Sequence, residues 1–139
     1  ISNQYRSMKM STLFYWGTRI VAALIMFQTL YFKFSGAEES IYIFSKVGLE
    51  PWGRIGVGVL ELIASLLLIL TPTAWLGAGL GLGLMMGAIG MHLFILGIEV
   101  KGDGGQLFFY ALIVAGCSAY ILFRDKEKLV NLTKNLFGK

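Results

Sequence analysis

Long apolar runs broken by few charges set the pattern of this chain. The first run spans about Thr12–Phe34 and carries only Arg19 and, near its end, Lys33. The stretch Leu62–Ile98 has no charge at all. At about 1.5 Å of rise per residue it is too long for one crossing of a ~30 Å hydrocarbon core. Thr71-Pro72-Thr73 divides it, because proline lacks a backbone N–H and biases the preceding residue away from helix. The second helix is therefore expected near Trp52–Leu70 and the third near Ala74–Glu99. The fourth run, Gly104–Phe123, is uncharged. Each segment has about 19 residues or more, enough to span. The pattern predicts an all-α fold, an integral membrane four-helix bundle, as a single transmembrane domain over residues 1–139. Its helices are expected near 12–34, 52–70, 74–99 and 104–123.

Two shorter pieces have helical spacing without the length to span. Ser35-Gly36-Ala37-Glu38 fits a capping box, with Ser35 as N-cap and Glu38 three residues on. Ala37, Ile41 and Phe44 then share a face, and Gly48 supplies a stop. This predicts a short amphipathic helix between helices one and two, lying over the outer mouth of the bundle. In the tail, about 125–137, Leu129, Leu132 and Leu136 share a face while Lys126, Lys128 and Lys134 fall largely elsewhere. That pattern suits a basic helix on the inner leaflet, or a solvated end.

Composition sharpens the membrane reading. Charged residues are 14% of the chain and apolar ones 56%, against about 25% and about 45–50% in an ordinary soluble domain. The mean hydropathy is +0.71. A soluble globular domain, a disordered tail and a secreted disulfide scaffold are all excluded. Cys117 is the sole cysteine, so neither an intrachain disulfide nor a zinc cluster can form. The net charge of +4 gathers at the ends of apolar segments, as membrane topology requires, and does not mark a nucleic-acid site. The first segment is long for a signal peptide and no small-x-small cleavage site follows it, which makes it a permanent helix. A chain that begins at Ile1 without Met leaves room for a short missing leader. Arg6, Lys9, Arg124, Lys126, Lys128, Lys134 and Lys139 fall on one side of the bundle, against Lys33, Lys46, Arg54 and Lys101 on the other. Both termini are therefore expected to be cytoplasmic, in an inner (plasma) membrane.

A charge in hydrocarbon costs at least about 2.5–3.5 kcal/mol, so each intramembrane polar residue needs a partner, a cavity or a function. Counting depth along antiparallel helices places Arg19 within reach of Glu61, which predicts a buried Arg19–Glu61 ion pair. The pair serves either as a clamp between helices or as a holder for a polar head group. Met85, His92 and Glu99 align on helix three, and Gln106, Tyr110 and Cys117 on helix four. The outer half then gathers His92, Glu99, Lys33 and Gln106. His92, Lys33 and Tyr110 are the donors and proton source that a quinone or other carbonyl ligand would need between apolar walls. His92, Glu61 and Glu99 are too separated in depth to be assigned a metal. Gly79, Gly83 and Gly87 recur every four residues, as do Gly77 and Gly81. Such spacing serves either tight packing within the bundle or a homodimer through helix three.

Trp16-Gly17-Thr18-Arg19, Lys33, the Gly-Leu-x-Pro element at Gly48–Pro51 and Gly58-Val59-Leu60-Glu61 follow in order, and a Gly/Ala/Met-rich third helix comes after a turn. Over roughly Leu13–Arg124 the chain resembles the DoxX-like four-helix membrane proteins. The resemblance implies a compact bundle with Arg19, Lys33 and Glu61 as its polar core, and no catalytic role comes with these positions. Some relatives are membrane subunits of quinone-linked sulfur oxidoreductases, and others resemble parts of membrane redox complexes that answer thiol and oxidative stress. More distant ones are assembly chaperones for ion-channel receptors. Redox relatives use paired cysteines, a pattern from which this chain departs with Cys117 alone. The expected function is a small quinone- or lipid-binding membrane subunit of a redox-linked complex, without autonomous catalysis. The alternatives are a non-enzymatic assembly or interaction protein and a proton or small-solute pathway along the polar stripes.

Overall fold

The computed structural model describes residues 2–137. Ile1 and Lys139, which entered the reading of the chain start and the charge count, lie outside the described residues. The described chain is helical: α1 (Ser2–Ser35), α2 (Glu38–Lys46), α3 (Trp52–Ile69), a 3-10 turn (Thr71–Thr73), α4 (Ala74–Met91), a π-helical turn (His92–Leu96), α5 (Gln106–Arg124) and α6 (Lys126–Phe137). Four stretches are long and apolar enough to cross a membrane: Lys9–Ser35, Trp52–Ile69, Thr71–Leu96 and Gln106–Arg124. Around the bundle α1 packs against α3 and α5, and α4 closes the ring by packing against the same two. Helices α1 and α4 thus lie on a diagonal.

The core is built from small and flexible side chains. Ala22, Ala23 and Met26 of α1 meet Ala64 and Leu68 of α3, Ala78 and Met85 of α4, and Val114 of α5. Leu24, Leu66, Met86, Phe109 and Phe123 instead face outward. Arg19, Glu61, Ser65, His92 and Ser118 are buried. A few buried polar side chains within an apolar core and an apolar coat suit lipid.

The glycines of α4 divide into two faces. A Cβ at Gly77 would come within 2.7 Å of the Ala64 carbonyl oxygen and the Leu68 nitrogen, so α3 and α4 approach at a distance only glycine permits. A Cβ at Gly81 would lie 3.3 Å from Ser118 Oγ. At Gly79, Gly83 and Gly87 nothing lies within 4 Å. The Gly77/Gly81 stripe packs the bundle, and the other faces away from it.

Three expectations are corrected at helix ends. Ser35 does not cap α2; it ends α1, and Ala37 precedes α2 without a side-chain cap. The Gly36 and Ala37 amides bond back to the carbonyls of Lys33 (3.4 Å) and Phe32 (3.1 Å), with Gly36 at φ +69°. That is a Schellman ending, so Ser-Gly here stops a helix where a start was expected. Gly48 does stop α2, through the same arrangement onto Ser45 and Phe44. The third helix does not continue to Glu99. After Met91 it widens into the π-turn and ends at Gly97, whose φ of +82° no continuing helix can use. The first helix also starts earlier than Thr12, at Ser2.

Candidate functional site

The direction in which helical side chains lean decides the partners of Arg19 and Lys33. Every Cα–Cβ bond tilts toward its helix N-terminus. Arg19 therefore leans back along α1, away from the α2 end and toward the end of α3. There its Nε donates to the Leu68 carbonyl (2.7 Å), its Nη2 to the Ile69 carbonyl (2.8 Å) and its Nη1 to Thr71 Oγ1 (3.4 Å). The guanidinium also stacks over Trp16, 3.8 Å from the ring centroid. At 1% exposure it is the cation that closes the C-terminus of α3, where unpaired carbonyls and the helix dipole both favour positive charge. The expected Arg19–Glu61 pair does not exist.

Glu61 pairs with Lys33 instead. Both lean toward each other, Lys33 down from the end of α1 and Glu61 up along the antiparallel α3. Lys33 Nζ lies 3.0 Å from Glu61 Oε1, and Glu61 is 2% exposed. Thr29, one turn before Lys33, places its hydroxyl 2.8 Å from Glu61 Oε2 and 3.0 Å from the Met26 carbonyl. That hydroxyl has one proton, which it donates either to the carboxylate or to the Met26 carbonyl. Arg54, held by Glu50 at 2.9 Å, donates to the Lys33 carbonyl and fixes the end of α1. No second acceptor for Lys33 Nζ is found among the described residues, leaving it donors to spare.

A cavity of about 430 Å³ opens beside this pair, at the α2 end of the bundle. Lys33, Glu61, His92 and Tyr110 all line it, with Thr29 and Glu39. The rest of its wall is largely apolar, from Met26 and Met85 among others. Helix α2 covers one side through Glu39, Ser40 and Phe44. Gly83 and Gly87 also line it while being exposed, so the cavity reaches the outer surface of α4.

The π-turn prepares His92. Its Nδ1 lies 2.9 Å from the Gly97 carbonyl, and its own carbonyl accepts from the Gly97 amide at 2.8 Å. A carbonyl only accepts, so Nδ1 carries the proton and Nε2 of the neutral ring is an acceptor. His92 is 5% exposed, and no described group donates to Nε2. Tyr110 accepts from Gln106 Nε2 at 2.8 Å and keeps its own proton to donate. Glu39 Oε1 is buried with no hydrogen-bond partner.

Glu99 does not join this group. The stop at Gly97 breaks its helical alignment with His92, and the side chain is exposed in the following loop, where Oε1 accepts from the Gly104 amide (3.3 Å). Sequence reasoning missed Thr29 and Glu39. Thr29 was findable as the polar residue one turn from Lys33 on the same face; nothing in the sequence marked Glu39 as turned inward. Asp103 was also missed. It organises the α4–α5 loop by accepting the amides of Val100, Gly105 and Leu107. Burial alone would raise its carboxyl pKa, but these three N–H groups outweigh that and hold it below the ordinary value. Among the described residues no three His, Cys, Asp or Glu side chains come together as a metal site would need.

The family model named DoxX matches residues 16–96, more than half of the chain. The chain belongs to the DoxX family. The matched DoxX segment runs from Trp16 through the π-turn and contains Arg19, Lys33, Glu61 and His92; Tyr110 and the Asp103 loop lie beyond it. No curated protein and no solved structure matches the chain at significance.

Proposed function

We propose that this DoxX membrane protein is a small subunit of a redox-linked complex that holds a quinone, or another lipid-like molecule with a polar head, in the cavity beside Lys33 and Glu61. The observation that carries the reading is the cavity itself. A space of about 430 Å³ with mainly apolar walls and one polar corner is of the size that small-molecule sites occupy. A quinone fits the donor set: its carbonyls can accept from Lys33 Nζ and Tyr110 Oη, and its tail from the bilayer can pass along the open Gly83–Gly87 surface. When bound, such a molecule supplies two-electron chemistry; the chain's own residues bind its head, orient it and keep bulk water away. Both termini on the cytoplasmic side of an inner membrane complete the proposal, supported by the cations of the α1 start and of α6.

The test is thermal unfolding of the purified protein in detergent with and without a short-tailed benzoquinone. The quinone should raise the melting temperature of the wild type, and Gly87→Leu, which adds bulk to the open surface at a position where a Cβ meets no neighbour, should abolish the shift. Equal shifts in both, or none in either, would contradict it. A second reading, an assembly or interaction protein, is favoured by the outward Gly79/Gly83/Gly87 face, on which a second copy or a partner helix could pack closely. One partner membrane protein co-purifying in fixed proportion, with only ordinary lipids, would select it.

A further inference from the structure

We infer that the cavity is built for a head group that donates hydrogen bonds, a phenol or hydroquinone, in preference to one that only accepts. This rests on the reading that the cavity holds an amphiphile, and it deepens it. The cavity wall carries unused hydrogen-bonding capacity of both kinds. On the donor side are the spare protons of Lys33 Nζ and the Tyr110 hydroxyl. On the acceptor side are Glu39 Oε1, which is buried without a partner, and His92 Nε2, the acceptor of the uncharged ring once Nδ1 gives its proton to the Gly97 carbonyl. The acceptors are the more telling half. Glu39 as a carboxylate can only accept, and His92 is 5% exposed with its tautomer already chosen by the π-turn.

A quinone carbonyl can engage the donors, but it offers nothing to the two acceptors. Seating it removes water from them and leaves them unpaired, which is the more costly half of hydrogen-bond energetics. A hydroxyl answers both sets, since it donates one proton and accepts with two lone pairs. Sites with buried polar groups discriminate most strongly against analogues that leave those groups unmatched. The head group expected here is therefore an aromatic ring with hydroxyls, at the end of an apolar tail.

The experiment is calorimetric titration of the full chain in quinone-free phospholipid nanodiscs, under anaerobic reducing conditions where a hydroquinone is used. Three probes share one short tail: the hydroquinone, the matching quinone and the hydroquinone dimethyl ether, which keeps the ring and removes both donors. The hydroquinone should bind at least about tenfold more tightly than either analogue, as one or two added net hydrogen bonds imply. His92→Phe and Glu39→Leu should each move the hydroquinone-to-quinone ratio toward one. If the quinone or the ether binds as tightly as the hydroquinone, the donor preference is overturned while the cavity reading stands. If none of the three binds, both are overturned. A preference that survives both substitutions overturns the assignment to His92 and Glu39. Should a variant fail to fold, the ranking of the three probes on the wild type still decides.

Discussion

Arg19 and Lys33 lie toward opposite ends of this bundle, the first buried and the second half-buried, and the chain settles them in opposite ways. Arg19, at the α6 end, spends its guanidinium on two backbone carbonyls and a threonine and lies outside the cavity wall. Lys33, at the α2 end, meets one carboxylate and borders a cavity with donors to spare. Arginine's rigid fork suits a fixed set of carbonyls, and lysine's flexible ammonium suits a partner that changes. A buried charge held by backbone carbonyls and a neutral hydroxyl suits an architectural role. One whose partner is another titratable side chain, beside open space, is available for a ligand.

That contrast can be broken at either end. The largest effect is expected from Lys33→Met, which strands the Glu61 carboxylate in an apolar site and should cost about 3–5 kcal/mol. Adding Glu61→Gln should restore most of the stability, measured by thermal or denaturant unfolding in micelles, while leaving ligand binding lost. No such rescue is available for Arg19→Leu. It should cost about 3 kcal/mol by freeing the carbonyls at the end of α3, and a simultaneous Glu61→Leu should make matters worse. If Glu61→Leu rescued Arg19→Leu, the two ends would be coupled and the contrast would fail.

Smaller substitutions sharpen the same division. Gly77→Ala drives a methyl into the α3 backbone and should cost about 2 kcal/mol, whereas Gly83→Ala meets nothing and should be near neutral. Similar losses at both positions would show that the outer glycine face is packed after all. The smallest effect is expected at Asp103, where Asp103→Ala should cost about 1 kcal/mol through the lost amide bonds. Its folded pKa is depressed, so its contribution is present above the unfolded carboxylate value and is lost as pH falls through the folded one. Unfolding followed from neutral to acid pH should show that slope in the wild type and a shallower one in the variant.

The sequence made the bundle legible because lipid imposes a coarse rule: about 19 or more apolar residues, separated by charge or proline, read as spans. The residues Trp16–Arg19, Lys33 and Gly58–Glu61 likewise carried the family resemblance that the DoxX match establishes. What failed was the count of depth. It allowed for the reach of an extended arginine but not for the direction in which it leans, and so joined Arg19 to Glu61. The tilt of Cβ toward each helix N-terminus moves an arginine head one way and a lysine head the other, enough to exchange partners. Glu99 was misplaced for a different reason: Gly97 inside an unbroken apolar run looks like a packing glycine, and only its positive φ reveals a stop. Ser35-Gly36 carried two opposite signals, an N-cap and a C′ glycine, and the Schellman bonds show which prevailed.

The central claim is that the Lys33 end holds a ligand and the Arg19 end holds the fold. Native mass spectrometry of the protein extracted gently from its own membranes tests it most directly. The account predicts a bound small amphiphile on the wild type, absent from the Lys33→Met/Glu61→Gln double variant although that variant remains folded. The same ligand carried equally by both proteins, or an empty wild type, would contradict it.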